Sequence, residues 1–211
     1  MTIDTKDLLN SIMKSLSRIE YIRPETLPDI HLYMDQVTTF MDMRLYPTKR
    51  HKNDKTLTKT MINNYAKNKV LPHPDKKKYS KEHILTLIFI YYFKSVLSIN
   101  DIQSVLTPLT DKYFGKKDSP TLEEIYDHVF RLEEQEVERL KERIKEEFIV
   151  SESAFDDMDS LDEEEADFLQ KFTFICLLNF DIYVKKLLVE KIIDSMKKPE
   201  LPKNRKGKSD K

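Results

Sequence analysis

Residues 58–79 read Thr58-Lys59-Thr60-Met61-Ile62-Asn63-Asn64-Tyr65-Ala66-Lys67-Asn68-Lys69-Val70-Leu71-Pro72-His73-Pro74-Asp75-Lys76-Lys77-Lys78-Tyr79. The spacing predicts a short helix followed by a basic hairpin. Thr58 has the side chain of an N-cap, and at 3.6 residues per turn Met61, Ile62 and Tyr65 fall on one face. Thr60, Asn63, Asn64 and Lys67 fall on the other. That outward face is hydrogen-bonding and cationic. Asparagine is a mediocre helix former, so two in succession need a reason. Reading base edges is one: Asn pairs bidentately with adenine, Thr touches a thymine methyl or a phosphate, and Lys reaches guanine or the backbone. The competing reading is a solvated face whose last turn Asn64 loosens.

Val70 and Leu71 are apolar, while Pro72, Pro74 and Asp75 form turns, so the chain reverses before Lys76, Lys77 and Lys78. Three lysines at a hairpin tip suit a phosphate-contacting wing; the alternative is a solvated loop. Helix, cationic hairpin, helix is the order of a winged helix-turn-helix.

The stretch from Leu32 to Leu106 resembles the N-terminal domain of MerR-type regulators, and more specifically the bacterial family known as domain of unknown function 1836. The resemblance lies in Leu32-Tyr33-Met34-Asp35-Gln36-Val37, in Leu57-Thr58-Lys59-Thr60-Met61-Ile62-Asn63-Asn64-Tyr65, and in Lys78-Tyr79-Ser80. It implies a helix near 58–68 set in the major groove of DNA, a flanking wing, and dimerisation through a long helix further on. By position, Asn63 stands where such proteins usually carry a DNA-contacting Arg, Tyr65 matches their Tyr, and Lys77 stands at their wing Arg. The sequence departs from that pattern at Lys69, which replaces a usual Gly, and at Lys76, which replaces a wing Tyr. Its turn between the first two helices is also much longer.

Composition narrows the classes. In 211 residues, 39% are hydrophobic and 35% charged, which allows a core under a heavily ionic surface. Only Gly115 and Gly207 are glycines, so no phosphate-cradling loop or dinucleotide fingerprint exists, and helices are favoured over sheet. Cys176 lies in Phe172-Thr173-Phe174-Ile175-Cys176-Leu177-Leu178 and is expected to be a small core residue. The five histidines, His31, His51, His73, His83 and His128, lack metal-ligand spacing, and no nucleophile-base order is recognisable. No enzyme, cofactor or metal site is expected. His73 and His51 belong to the residue type that titrates near neutral pH and could tune DNA binding; facing water is the alternative. The N-terminus interleaves charges with apolar residues, unlike a signal peptide, and no run of about 18 uncharged apolar residues occurs. A cytoplasmic protein without a membrane partner is expected.

Charge is separated along the chain. From Arg44 to Lys81, twelve Lys/Arg stand against Asp54 and Asp75; from Asp118 to Asp167, twenty Asp/Glu stand against five basic residues. The basic half would attract DNA phosphates and the acidic half would repel them.

In order, Asp4 to Ile19 reads as an amphipathic helix capped by Asp4, with Leu8, Leu9, Ile12, Leu16 and Ile19 on one stripe. A second helix, about Tyr33 to Met43, buries Met34, Val37 and Phe40 or Met41. The loop from Arg44 to Leu57 carries Arg44, Lys49, Arg50, Lys52 and Lys55, to contact DNA backbone or simply to meet water. Ser80 caps a helix with Ile84, Leu87, Ile88 and Tyr91 in phase. Ser98-Ile99-Asn100-Asp101 opens another, with Ile99, Ile102, Val105 and Leu106 inward, expected to end at Pro108. Ser119-Pro120-Thr121 opens a long helix to about Phe148, with ion pairs Glu136–Arg139, Glu138–Lys141 and Glu142–Lys145 on its exposed side. Residues 151–165 form an acidic linker, without the Gly of a calcium loop. From Phe168 to Met196 the helix is apolar around most of its circumference, which predicts burial on several sides and a subunit interface.

The sequence thus predicts a mostly α protein: an N-terminal amphipathic helix in 1–23, a MerR-like winged-helix domain in 24–117, a helical dimerisation or signal-receiving region in 118–196, and a disordered basic tail in 197–211. The expected function is sequence-specific binding of double-stranded DNA by a transcriptional regulator, a homodimer on a dyad-symmetric site, open to an unidentified small-molecule or protein effector. The expected contacts are Thr58, Lys59, Thr60, Asn63, Asn64, Tyr65, Lys67, Lys76, Lys77 and Lys78, with Arg44, Lys49, Arg50 and Lys52 on the backbone. A non-catalytic helical adaptor, gripping a protein through the same domain, is the alternative.

Overall fold

Residues 83–90, His-Ile-Leu-Thr-Leu-Ile-Phe-Ile, offer no polar stripe on which a helix could meet water. The computed structural model, which describes residues 5–16, 22–158 and 160–196, buries all eight. This makes α4 (Lys81–Phe93) the central helix of the fold. Packed around it are α2 (Met34–Arg44), α3 (Lys59–Lys67), α5 (Ile99–Tyr113) and the first turns of α6 (Leu122–Glu152). Two short strands, β1 (Leu32–Tyr33) and β2 (Lys78–Tyr79), pair antiparallel with Leu32 opposite Tyr79 and Tyr33 opposite Lys78. The described chain is therefore mostly helical, with one two-stranded sheet.

Local chemistry sets the helix starts. Thr58 Oγ1 accepts the Met61 N–H at 3.2 Å, Ser98 Oγ accepts that of Asp101 at 3.2 Å, and Thr121 Oγ1 that of Glu124 at 3.2 Å. Each satisfies a donor that the first helical turn leaves free. Ser80 begins α4 with a reciprocal bond in which its own N–H donates to His83 Nδ1 at 3.0 Å.

Helix α6 joins two cores. Tyr126 and Phe130 meet Phe89 of α4 at centroid distances of 5.3 and 5.5 Å and each other at 4.4 Å, so its first turns belong to the main core. Further along, Ile144 and Phe148 meet Phe174 of α7 (Glu163–Met196), with Leu9, Ile12, Met13 and Leu16 of α1 (Thr5–Leu16) packed against them. The three expected ion pairs on α6 form at 2.6, 2.6 and 2.7 Å.

Four local expectations are corrected. Pro108 does not end α5, which continues to Tyr113; the proline removes only the hydrogen bond to the Ser104 carbonyl, and beyond it the buried Thr110 hydroxyl donates to the carbonyls of Leu106 and Thr107. Ile99 is 39% exposed because it occupies the first turn, clear of the core. Cys176 is exposed, facing away from Phe174. Helix α7 buries only Phe174 and Ile193, since α6 and α5 cover a narrow strip of it. Asp4, Ile19 and the tail after Met196 lie outside the described residues. Among the described residues, no helix is long and apolar enough to cross a membrane.

Candidate nucleic-acid interface

Helix α3 divides cleanly into two faces. Ile62, Tyr65 and Ala66 are buried and Met61 is half-buried, while Lys59, Thr60, Asn63, Asn64 and Lys67 are exposed and Thr58 is half-exposed. The expected outward set is therefore displayed with one exception. Tyr65 is 7% exposed, so its ring belongs to the core, and burial raises its hydroxyl above the usual tyrosine range. Its place at i+3 from Ile62 put it on the apolar face, and that geometry overrides the positional match with a contacting tyrosine.

The helix ends in a strained exit. Lys69 has φ +57°, a left-handed conformation in which glycine is usual, while its N–H donates to Ala66 O at 3.1 Å. Val70 and Leu71 then bury completely, and Thr107 Oγ1 of α5 donates to Lys69 O at 3.2 Å. The exit is fixed from both sides, which leaves the Lys69 side chain exposed beside the end of α3.

At the basic turn, Lys76 and Lys77 have φ +47° and +66°. Lys78 N–H closes the turn on Asp75 O at 2.8 Å, and Asp75 bridges Lys78. Two consecutive left-handed residues are the signature of a type I′ turn, which Asn-Gly normally fills. Each lysine there costs about 1 kcal/mol or more in backbone strain. Both are exposed at the tip; Lys78 is half-buried, its ammonium 5.4 Å from the centroid of the Tyr33 ring.

Contacts connect this turn to α3. Tyr33, paired with Lys78, directly precedes α2, and Asp35 in the first turn of α2 forms an ion pair with Lys59 in the first turn of α3. The start of α3 and the basic turn thus lean on the same end of α2.

Beside the start of α3 lies an open groove of about 1020 Å³, walled by α2 through Thr39 and Met43, by the 44–57 loop through Lys52 and Lys55, and by Thr58 and Thr60. The loop is held in place. Lys94 donates to Thr56 O, the hydroxyls of Thr48 and Tyr91 share a hydrogen bond, and Lys49 Nζ sits 2.8 Å from Asp42 Oδ1. The Lys49 ammonium holds the Asp42 carboxyl below its usual range, and burial lowers the Lys94 ammonium.

This anchoring sorts the expected backbone contacts. Lys49 has a side chain only 7% exposed and is committed to Asp42, so it is removed from the contact set. Arg44 donates to Thr26 O at 3.2 Å and lies 5.6 Å from the Phe40 centroid, and it remains exposed. Arg50 and Lys52 stay exposed. Lys55 of the same loop and Lys69 at the exit of α3 are exposed as well. Lys69 gave a signal in the sequence, as a lysine where a helix exit favours glycine; Lys55 gave none beyond its charge.

One buried group lies behind the turn. His83 is 4% exposed, its ring 5.4 Å from that of Tyr79 and 4.7 Å from that of Phe114. Its Nδ1 accepts the Ser80 N–H, while Nε2 faces the Pro72 and His73 carbonyls without reaching hydrogen-bond geometry. Burial lowers its pKa to about 4.

Searches of curated proteins and of solved structures each returned no match. A family model does match over residues 22–129, a span that takes in the core around α4, the face of α3, the basic turn and the first turns of α6. The chain belongs to the family described as domain of unknown function, DUF1836.

Proposed function

We propose that this protein is a sequence-specific duplex DNA-binding regulator of transcription, built on a MerR-like winged helix-turn-helix within residues 24–117. In this reading α3 enters the major groove and the 75–78 turn is the wing. Thr60, Asn63, Asn64 and Lys67 read base edges, whereas Lys76, Lys77, Lys69, Lys52 and Lys55 neutralise phosphates. The protein acts in the cytoplasm as a non-catalytic homodimer on a dyad-symmetric site, with region 118–196 serving dimerisation or effector reception.

The observation that carries the reading is the backbone at Lys69, Lys76 and Lys77. Three exposed lysines occupy left-handed positions where glycine would relieve strain. Their charge there supports a role in anion contact that offsets the local cost. Selection of bound sequences from a random duplex pool tests the reading, with a dyad-related consensus expected. Affinity should fall log-linearly as salt rises. Absence of any duplex binding at about 0.15 M salt would leave the adaptor alternative, which the uncovered apolar face of α7 favours.

A further inference from the structure

The groove beside the start of α3 carries chemistry that reading a duplex does not use. Met43 is 67% exposed and Tyr46 is 49% exposed, so two large apolar side chains stand uncovered along it, beside the buried Leu57. At about 1020 Å³ the groove lies at the upper end of small-molecule sites, which run from roughly 300 to 1,000 Å³. Its walls are held in place by the fold. Thr56 is 3% exposed; its hydroxyl donates to Asp42 Oδ1 at 3.3 Å and its carbonyl accepts from Lys94, while Thr48 is tied to Tyr91. A loop anchored in this way loses little freedom on binding, so more of the contact energy appears as affinity.

Charge selects the head group of the ligand. Four lysines line the groove, Lys49, Lys52, Lys55 and Lys59, against Asp42 and Asp54. Lys49 is paired with Asp42, Lys59 is paired with Asp35, and the Asp54 carboxylate accepts the His51 N–H at 2.9 Å. Lys52 and Lys55 are exposed and form no ion pair among the described residues. Two unpaired ammonium groups match a phosphomonoester, which carries nearly two negative charges at neutral pH, better than a carboxylate with one. Thr39 of α2 and Thr60 of α3 add exposed hydroxyls to the lining. Helix α3 also begins here without an acidic residue in its first turn, so the positive end of its dipole adds to the lysines. The uncovered Met43 and Tyr46 favour a ligand with a flat ring over a bare sugar phosphate.

We infer that this groove is the binding site for a small ring-bearing phosphomonoester of the nucleoside 5′-monophosphate type, its phosphate on Lys52 and Lys55 and its ring against Met43 and Tyr46. The regulatory consequence rests on the duplex reading above. Thr60, Lys52 and Lys55 would serve both ligand and duplex, so the two exclude one another. The ligand is then an antagonist at the DNA face itself, distinct from any effector received by region 118–196.

Isothermal titration calorimetry of the full chain without DNA, using the four common ribonucleoside 5′-monophosphates, should give one site per chain with a Kd under about 100 μM for at least one of them. Inorganic phosphate and the matching nucleoside, each one half of the ligand, should bind about 10-fold more weakly or worse. Lys52→Gln with Lys55→Gln, and separately Met43→Glu, should each weaken the nucleotide about 10-fold or more, with helicity unchanged by circular dichroism because all three side chains face water. Lys116→Gln with Lys117→Gln removes the same charge outside the groove lining and should leave nucleotide affinity as it was. An equal loss there would mean diffuse attraction and overturn the site. So would failure of all four nucleotides to bind, or phosphate alone binding as tightly as the nucleotide. Duplex titration with and without saturating nucleotide is read separately, and nucleotide should weaken apparent duplex affinity about 10-fold or more. Undiminished affinity overturns the exclusion while the site stands. A chain that binds nucleotide but no duplex upholds the site and sinks the regulator reading.

Discussion

The hydroxyl of Tyr126 donates to the carbonyl of Ile22 at 2.9 Å, across 104 residues of sequence and with both groups buried. This bond ties the first turns of α6 to the chain segment that enters the main core. It also seats the Tyr126 ring between Phe89 and Phe130. Tyr126→Phe keeps the ring and orphans a buried carbonyl, which should cost about 1 to 3 kcal/mol. A urea midpoint unchanged from wild type would show that the carbonyl is satisfied in another way.

His83 makes stability depend on pH. Its folded pKa of about 4 lies below the ordinary 6.5, so the folded state disfavours the charged ring. Stability is then fully present above pH 6.5 and declines as pH falls from 6.5 toward 4, where the unfolded chain binds the extra proton. Between pH 7 and pH 5 the loss should be about 2 kcal/mol. His83→Gln should flatten that part of the urea-stability profile; an equal slope in the variant would assign the effect to other groups.

The type I′ turn separates charge from backbone. Replacing Lys76 with Asn and Lys77 with Gly fits the left-handed backbone and should raise stability by about 1 kcal/mol, while removing two cations. Thermal melting and duplex titration should therefore move in opposite directions. Weaker melting would contradict the strain at this turn, and undiminished affinity would remove both lysines from the phosphate contacts. Lys77→Ala alone should weaken specific and random duplexes alike, because phosphates carry no sequence.

Asn63 is exposed in the middle of the α3 face. Asn63→Ala should cost about 1 to 3 kcal/mol on a selected site and little on random duplex. The check is the ratio of the two affinities at fixed salt; a constant ratio takes Asn63 out of the reading set.

Several features were legible in the residues. Thr58, Ser98 and Thr121 announced helix starts because a cap is a local bond between neighbours, and the three ion pairs on α6 followed from spacing along one helix. The division of α3 into an apolar and a polar face followed from period alone. What escaped depended on distant partners. Nothing near Lys49 in sequence distinguishes it from Arg50, yet the fold buries one on Asp42 and leaves the other in water. Pro108 reads as a stop, but α5 runs on past it to Tyr113 because its Ile102, Leu106 and Thr110 face is buried against the rest of the fold.

Sequence by itself determined a mostly helical chain, its helix starts, the amide-and-lysine face of α3 and the separation of basic from acidic halves, since each is set by neighbours within a few residues or by charge along the chain. Only the tertiary structure decided that Lys49 is spent on Asp42, that the 44–57 loop is pinned, and that α7 keeps most of its apolar surface uncovered. Burial is a relation between segments far apart in sequence, and hydrophobic periodicity records that a face must be covered without recording what covers it.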